Sequence, residues 1–219
     1  MTPTAPHRSA TRNACRSSTG GQEHPPLFKN PSGLSVRIRA SRKVFLCRGS
    51  SRYPGSWDTS STNRRKGLEP LLRALAHLPS SRYHLSVVGK DREQRYFERL
   101  ARNLPVTFCG PQSNIRPFYS QADTLVIPSY YDPFANVTVE ALAMGLFVVT
   151  SRMNGGHEIL SPAQGTLIDD LFELDSVLAA LHRALQHPKT AASAAAIRAS
   201  VQHRDFPLIL DQLMEACGV

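Results

Sequence analysis

The 219-residue chain contains no apolar run approaching the length of a membrane span, and no apolar signal core follows Met1. Neither a spanning helix nor a secretory leader is read from it. Its four cysteines, Cys15, Cys47, Cys109 and Cys217, are scattered and form no C-x-x-C pair and no metal spacing. Reduced thiols in a cytosolic protein are the plain reading. No cluster of His, Cys and carboxylate residues suggests a metal site. Of the eight histidines only His157 lies beside a candidate ligand loop; the others have no Ser, Cys or acid partner at diagnostic spacing. No internal repeat is present.

Acids are nearly absent from the front third. Residues 1–66 hold 13 Lys or Arg against 2 acids, and the remainder holds 13 against 15, so the whole net charge of +9 resides at the front. A basic segment of this kind binds nucleic acid or anionic lipid, or is simply solvated. Nucleic acid is the disfavoured partner, because the segment has no aromatic interleaving and no recognisable motif; a membrane surface remains compatible. Residues 1–42 are rich in Ser, Thr, Arg, Pro and Gly and read as a disordered basic segment. The first 22 residues lack acids as a transit peptide would, but Pro3, Pro6 and the want of an apolar face argue against a targeting helix.

What is present begins at residue 43. Short apolar runs at Lys43–Arg48, Leu85–Gly89, Val106–Cys109, Thr124–Ile127, Leu146–Thr150 and Gly165–Ile168 read as buried strands. Helical periodicity separates them. It covers Leu68–Leu78 after Arg64-Arg65-Lys66-Gly67, then Asp91–Asn103, Ile115–Gln121, Asn136–Met144, Leu174–Gln186 and Ala191–Gln202, with a last amphipathic helix at Phe206–Cys217. About six strands alternating with helices predict an α/β class and one Rossmann-like, doubly wound parallel sheet over residues 43–219. In such sheets ligands bind beyond the carboxyl ends of the strands.

Chemistry concentrates in Pro128–Glu158. Asp132 follows a strand, Glu140 lies in the next helix with seven residues between them, and the amides of Phe134, Ala135, Asn136 and Val137 open that helix. A helix N-terminus suits phosphate or sugar oxygens, and carboxylates accept bonds from hydroxyls, so the set suits a ligand carrying both. The competing reading makes Asp132 a turn residue and Glu140 a solvated helix residue. The cluster Arg64-Arg65-Lys66 placed before a helix opposes the positive end of its dipole, a conflict an anion would relieve; the alternative is a loop whose charges face water.

This stretch resembles the donor-binding, C-terminal half of the group 1 retaining glycosyltransferases of GT-B architecture. Their Pro-Ser-x-x-Glu-Pro-Phe-Gly context with Glu, seven residues, Glu is similar to Pro128, Ser129, Asp132, Pro133, Phe134, Ala135 and Glu140; the glycine pair and following acid match Gly155, Gly156 and Glu158. Asp132 stands where the family has Glu, and Ala135 where it has Gly. Tyr119, Ala122 and Asp123 match a Tyr-x-x-Ala-Asp element read as packing and capping. The narrower likeness is to lipopolysaccharide core glucosyltransferases.

The resemblance implies transfer of a hexose, with retention, from a UDP- or ADP-sugar to a glycan or lipid-linked acceptor, without a metal or other cofactor. It implies Lys66 and Arg65 at the diphosphate, Asp132 at sugar hydroxyls and Glu140 at ribose hydroxyls. Gly49, Gly110, Phe134, Ala135, Asn136, Val137, Gly155 and Gly156 would line the donor. It further implies that the chain is the donor-binding half, with a separate N-terminal acceptor domain elsewhere, in the cytoplasm or peripheral at the inner membrane face. The gap between Gly49 and Lys66 is about ten residues longer than the family's link, filled by the polar insert 51–63. With Asp132 and Ala135, that insert motivates the rival reading of a non-catalytic nucleotide-sugar-binding or degenerate domain.

Overall fold

Lys43–Arg48 forms a strand whose four central residues are buried, and its side chains divide between two cores. Phe45 and Cys47 point into one, Val44 and Leu46 into the other, as the two-residue period of a strand covered on both faces requires. The computed structural model describes residues 27–29, 35–37, 43–48, 62–187, 189–204 and 214–215. The expected helix at Phe206–Cys217, the position Gly49 and residues 51–61 of the insert lie outside the described residues, apart from 214–215, which are helical.

In chain order the strands are β1 (Leu27–Lys29), β2 (Ser35–Arg37), β3 (Lys43–Arg48), β4 (Tyr83–Val88), β5 (Val106–Gly110), β6 (Thr124–Ile127), β7 (Phe147–Ser151) and β8 (Gly165–Ile168). The helices are α1 (Thr62–Arg65), α2 (Leu68–Leu75), α3 (Gln94–Leu100), α4 (Arg116–Gln121), α5 (Asn136–Ala143), α6 (Leu174–Gln186) and α7 (Ala191–Ala199). Strands β1 and β2 pair antiparallel. They fall within the segment 1–42 read from the sequence as disordered.

The main sheet has six parallel strands in the order β5-β4-β3-β6-β7-β8. Helices α2, α3 and α6 cover one face and α4, α5 and α7 the other. Leu68, Leu71, Leu72 and Leu75 of α2 are all buried, each contributing about 2 kcal/mol of transfer free energy. Among the described residues no helix is long and apolar enough to cross a membrane.

The order reverses direction between β3 and β6. Their register is confined to Phe45 with Thr124 and Leu46 with Leu125, so pairing stops before either strand ends. At the amino end the seam is closed by Asp123, whose N–H donates to the Val44 carbonyl at 2.8 Å and whose carboxylate accepts from the Val44 N–H at 2.7 Å. That is the capping role expected of Asp123. Clamped below and unpaired above, the seam lies at the order reversal, and open α/β sheets bind ligands in the crevice at the carboxyl ends of such a position.

Candidate active site

Two chain segments meet over this crevice. On the β3 side, α1 ends at Arg65, Lys66 and Gly67 turn, and α2 starts at Leu68. The helix expected from Leu68 thus starts at that residue, with a short additional helix, α1, before it. Arg64 and Arg65 occupy the last turn of α1, where the dipole favours cations, so that part of the electrostatic conflict read from the sequence is corrected. Arg64 also pairs with Glu93 at 2.8 Å and lies over the Tyr96 ring. On the β6 side, Pro128 and Ser129 leave the strand. Gly67 has φ +68°, and a Cβ there would sit 1.8 Å from the Pro128 carbonyl oxygen. The Tyr130 N–H donates to the Arg65 carbonyl at 2.9 Å. The two loops lie backbone against backbone.

Two ion pairs cross the seam. Lys66 Nζ contacts Asp132 Oδ2, with side chains 12% and 15% exposed. Arg48 Nη1, at the carboxyl end of β3, contacts Glu140 Oε2 in α5, with side chains 15% and 43% exposed. Tyr119, from α4, donates to the same Glu140 oxygen at 2.8 Å and accepts from Arg48 Nη1 at 3.1 Å. Burial opposes the charge on Arg48, but its bonds and charge interactions with Tyr119 and Glu140 outweigh that, and its pKa lies above the ordinary value. Burial first, then the Glu140 charge, pushes the Tyr119 phenol up. The sequence-predicted Lys66, Asp132 and Glu140 are thus gathered at one seam. Arg65 is exposed and lines a neighbouring cavity of about 310 Å³ with Arg64, Glu69 and Tyr130.

Asn154 shapes the rest. Its side chain is fully buried. Its Oδ1 accepts from the Ala135 N–H at 3.3 Å and the Gly156 N–H at 2.9 Å, while its Nδ2 donates to Thr150 Oγ1 at 2.9 Å. The amides of Ala135 and Gly156, expected to face the ligand, are spent on this side chain. Those of Asn136 and Val137 lie in the first turn of α5, where no intrahelical carbonyl precedes them. Phe134, beside them, is exposed. The backbone of Asp132 is held on both sides: its N–H donates to the Met153 carbonyl at 3.1 Å, and its carbonyl accepts from the Gly155 N–H at 2.9 Å. A Cβ on Gly155 would lie 1.9 Å from the Pro133 oxygen, and one on Gly156 2.7 Å from Thr138 Oγ1. The glycine pair thus allows close approach between Gly155–Ile159, a 3₁₀ turn, and the entry to α5. His157 is turned back, its Nδ1 at 2.8 Å from the Asn154 carbonyl.

Gly110 ends β5 with φ +63°. It shares the carboxyl edge of the sheet but stands two strands from β3, about 10 Å away at ordinary strand spacing. Three residues of the seam were not assigned to the site from the sequence: Arg48, Tyr119 and Asn154. The signals were faint: a cation closing an apolar strand, a tyrosine in a packing element, and a buried amide before two glycines. Among the described residues no group of three or more His, Cys, Asp or Glu side chains gathers to hold a metal ion.

Comparison with known proteins yields a family and relatives. The family model described as glycosyl transferases group 1 matches residues 58–187. The lipopolysaccharide glucosyltransferase WaaG of Escherichia coli is 33% identical over 171 residues, covering 74% of this chain and 46% of its own length. A crystal structure of WaaG, 28% identical, superimposes with a TM-score of 0.59 over 76% of this chain and 43% of that one. The lipopolysaccharide core biosynthesis glycosyltransferase LpsE of Rhizobium meliloti is 30% identical over 123 residues, covering 54% and 36%. The Anabaena protein HepE, solved in complex with UDP and glucose, shares the fold with a TM-score of 0.62 at 23% identity, over 82% of this chain and 49% of that one. The chain spans less than half the length of the curated relatives it matches. With the family model covering more than half of its residues, the chain belongs to the group 1 glycosyltransferases.

Proposed function

We propose that the chain binds a nucleotide-diphosphate sugar, such as a UDP- or ADP-sugar, across the β3/β6 crevice and acts in hexosyl transfer to a glycan or lipid-linked acceptor of lipopolysaccharide type. The observation that carries this reading is the pairing of Lys66 with Asp132 across the seam. It sets a cation for the diphosphate beside an acceptor for sugar hydroxyls. Lys66, with Arg65 from the adjoining cavity, neutralises the diphosphate leaving group as the bond to the anomeric carbon breaks. Because charge builds on that leaving group while the sugar gains oxocarbenium character, electrostatic stabilisation there is the main contribution of the protein.

The amides of Asn136 and Val137, with that of Phe134 at the entry, add partial positive charge at the same end of α5. Asp132 exchanges Lys66 for sugar hydroxyls as the diphosphate takes the ammonium, and Glu140 accepts from the ribose. Retention at the anomeric carbon and a peripheral location at the inner membrane face belong to the same reading, as does a donor half completed by an acceptor domain. The group 1 family match and the lipopolysaccharide glycosyltransferase relatives support it. No metal or other cofactor takes part in it.

Binding without turnover is the second reading, favoured by Asp132, one methylene shorter than the glutamate of the family pattern. Calorimetry with UDP-glucose and ADP-glucose tests the first link, and release of labelled hexose to a lipid-linked acceptor tests the second. Absence of binding to either donor at millimolar concentration overturns the donor-site assignment; binding without release selects the second reading.

A further inference from the structure

We propose that Arg48 and Tyr119 are positioning residues for Glu140, and that by fixing one carboxylate oxygen they present the other to the ribose diol and set a preference for ribo- over deoxyribonucleotides. The inference rests on the assignment of Glu140 to the ribose made above.

Three elements converge to build this arrangement. Arg48 comes from the end of β3, Tyr119 from α4 and Glu140 from α5. The Arg48 guanidinium and the Tyr119 hydroxyl both bond Glu140 Oε2, and Arg48 also donates to Tyr119, so the three groups close a triangle. Both anchoring bonds fall on Oε2, and among the described residues Oε1 has no hydrogen-bond partner. The Arg48 side chain is largely buried while that of Glu140 is partly open to solvent, so the carboxylate is held from the protein side and remains reachable from outside.

Two physical consequences follow from that division. An untethered glutamate explores several side-chain rotamers and a broad terminal torsion, and a ligand bond to it bears the cost of ordering them. The triangle removes that freedom before the ligand arrives. A lone carboxylate would also repel a diphosphate sharing the crevice; paired with Arg48, Glu140 adds no net charge. Its remaining oxygen accepts a hydroxyl proton through a charge-assisted bond.

The test is calorimetry of the full chain with UDP, ADP and their 2′-deoxy counterparts. The parent protein is expected to bind one ribonucleotide about ten-fold more tightly than its 2′-deoxy form, the loss that follows removal of one hydrogen bond to a charged group. Tyr119→Phe is expected to bring that ratio to within about two-fold, on the same hydrogen-bond scale, while affinity for the deoxy form is retained; Arg48→Leu is expected to lower the ratio likewise and, through the uncompensated Glu140 charge, to weaken both forms, the ribonucleotide more. Arg48→Lys should restore part of the ratio. Equal weakening of both nucleotides, or an undiminished ratio in Tyr119→Phe, overturns the inference, because a purely structural role moves both ligands together. Tyr119→Phe removes one oxygen and keeps the ring, so it decides the matter if Arg48→Leu does not fold. A parent that binds ribo and deoxy forms alike overturns the ribose contact and leaves the diphosphate assignment standing. A parent that binds none of the four overturns the donor site itself.

Discussion

Lys66 and Asp132, 66 residues apart in sequence, form an ion pair that ties the loop after β3 to the loop after β6. Both side chains are largely buried, so the pair is not a screened surface contact. Its worth lies in what breaking it would leave behind, a carboxylate or an ammonium with little water around it.

Lys66→Met is expected to strand Asp132 in this way. Breaking a buried pair by removing one partner costs about 3 kcal/mol at the lower end, which for a domain of this size lowers Tm by roughly 6–12 °C. The double variant Lys66→Met/Asp132→Leu should recover much of that loss, because no charge remains uncompensated. Neither variant should retain donor binding. Thermal melting followed by circular dichroism checks the first part, and calorimetry with the donor the second; an unchanged Tm in Lys66→Met would show the pair to be solvated.

Gly67→Ala is expected to disturb the same loop through the backbone. The residue has positive φ, and the added Cβ would lie 1.8 Å from the Pro128 oxygen, so the loops must separate. A non-glycine residue in the left-handed region alone costs about 1–2 kcal/mol, and the lost contact adds to it. Lys66 would move with Gly67. The expected outcome is a lower Tm together with loss of donor affinity, whereas Gly67→Ala with parental melting and binding would contradict the backbone-to-backbone contact.

The sheet was legible because its strands are buried on both faces. Runs such as Lys43–Arg48 and Thr124–Ile127 carry consecutive apolar residues without alternation, and their observed bounds agree with the sequence reading residue for residue. The same holds for α6, whose Leu and Val spacing sets Leu174–Gln186. Asp132, Glu140 and Lys66 were legible as a chemical set. The Arg48–Tyr119–Glu140 triangle was not, since its bonds span 71, 92 and 21 residues and depend on which strands adjoin. Asn154 reads locally as a turn residue; its role emerges only when α5 packs on the 3₁₀ turn. The family's Gly stands as Ala135 without strain because the backbone there has φ −76°, so that departure has a structural accommodation.

Cys47 and Cys109 are expected to be inert in the native protein. Burial pushes the Cys47 thiol up to about 12, with the Lys66 charge acting weakly against it, and the Cys109 thiol up to about 11. The thiolate is the reactive form, and at neutral pH almost none is present at either residue. Brief alkylation at pH 7.5 followed by peptide mapping should leave both unmodified, and alkylation in denaturant should modify both. Rapid native labelling of Cys47 would show that the crevice floor opens to solvent.

Stability is expected to fall as pH drops below about 6.5, the ordinary histidine value, through His187. Its imidazole stacks on Phe147 with ring centroids 4.3 Å apart, and its carbonyl accepts from Lys43 Nζ at 2.6 Å. Burial, then the Lys43 charge, lowers its pKa below the ordinary value. The folded state therefore holds the neutral ring to lower pH than the unfolded state does. Between the two pKa values the unfolded chain binds more protons, so stability is full above the unfolded value and is lost as pH falls through the folded one. His187→Phe keeps an aromatic stack and removes the titration. Tm measured from pH 8 to pH 5 should decline less steeply in that variant than in the parent, and identical slopes would assign the acid sensitivity to other groups.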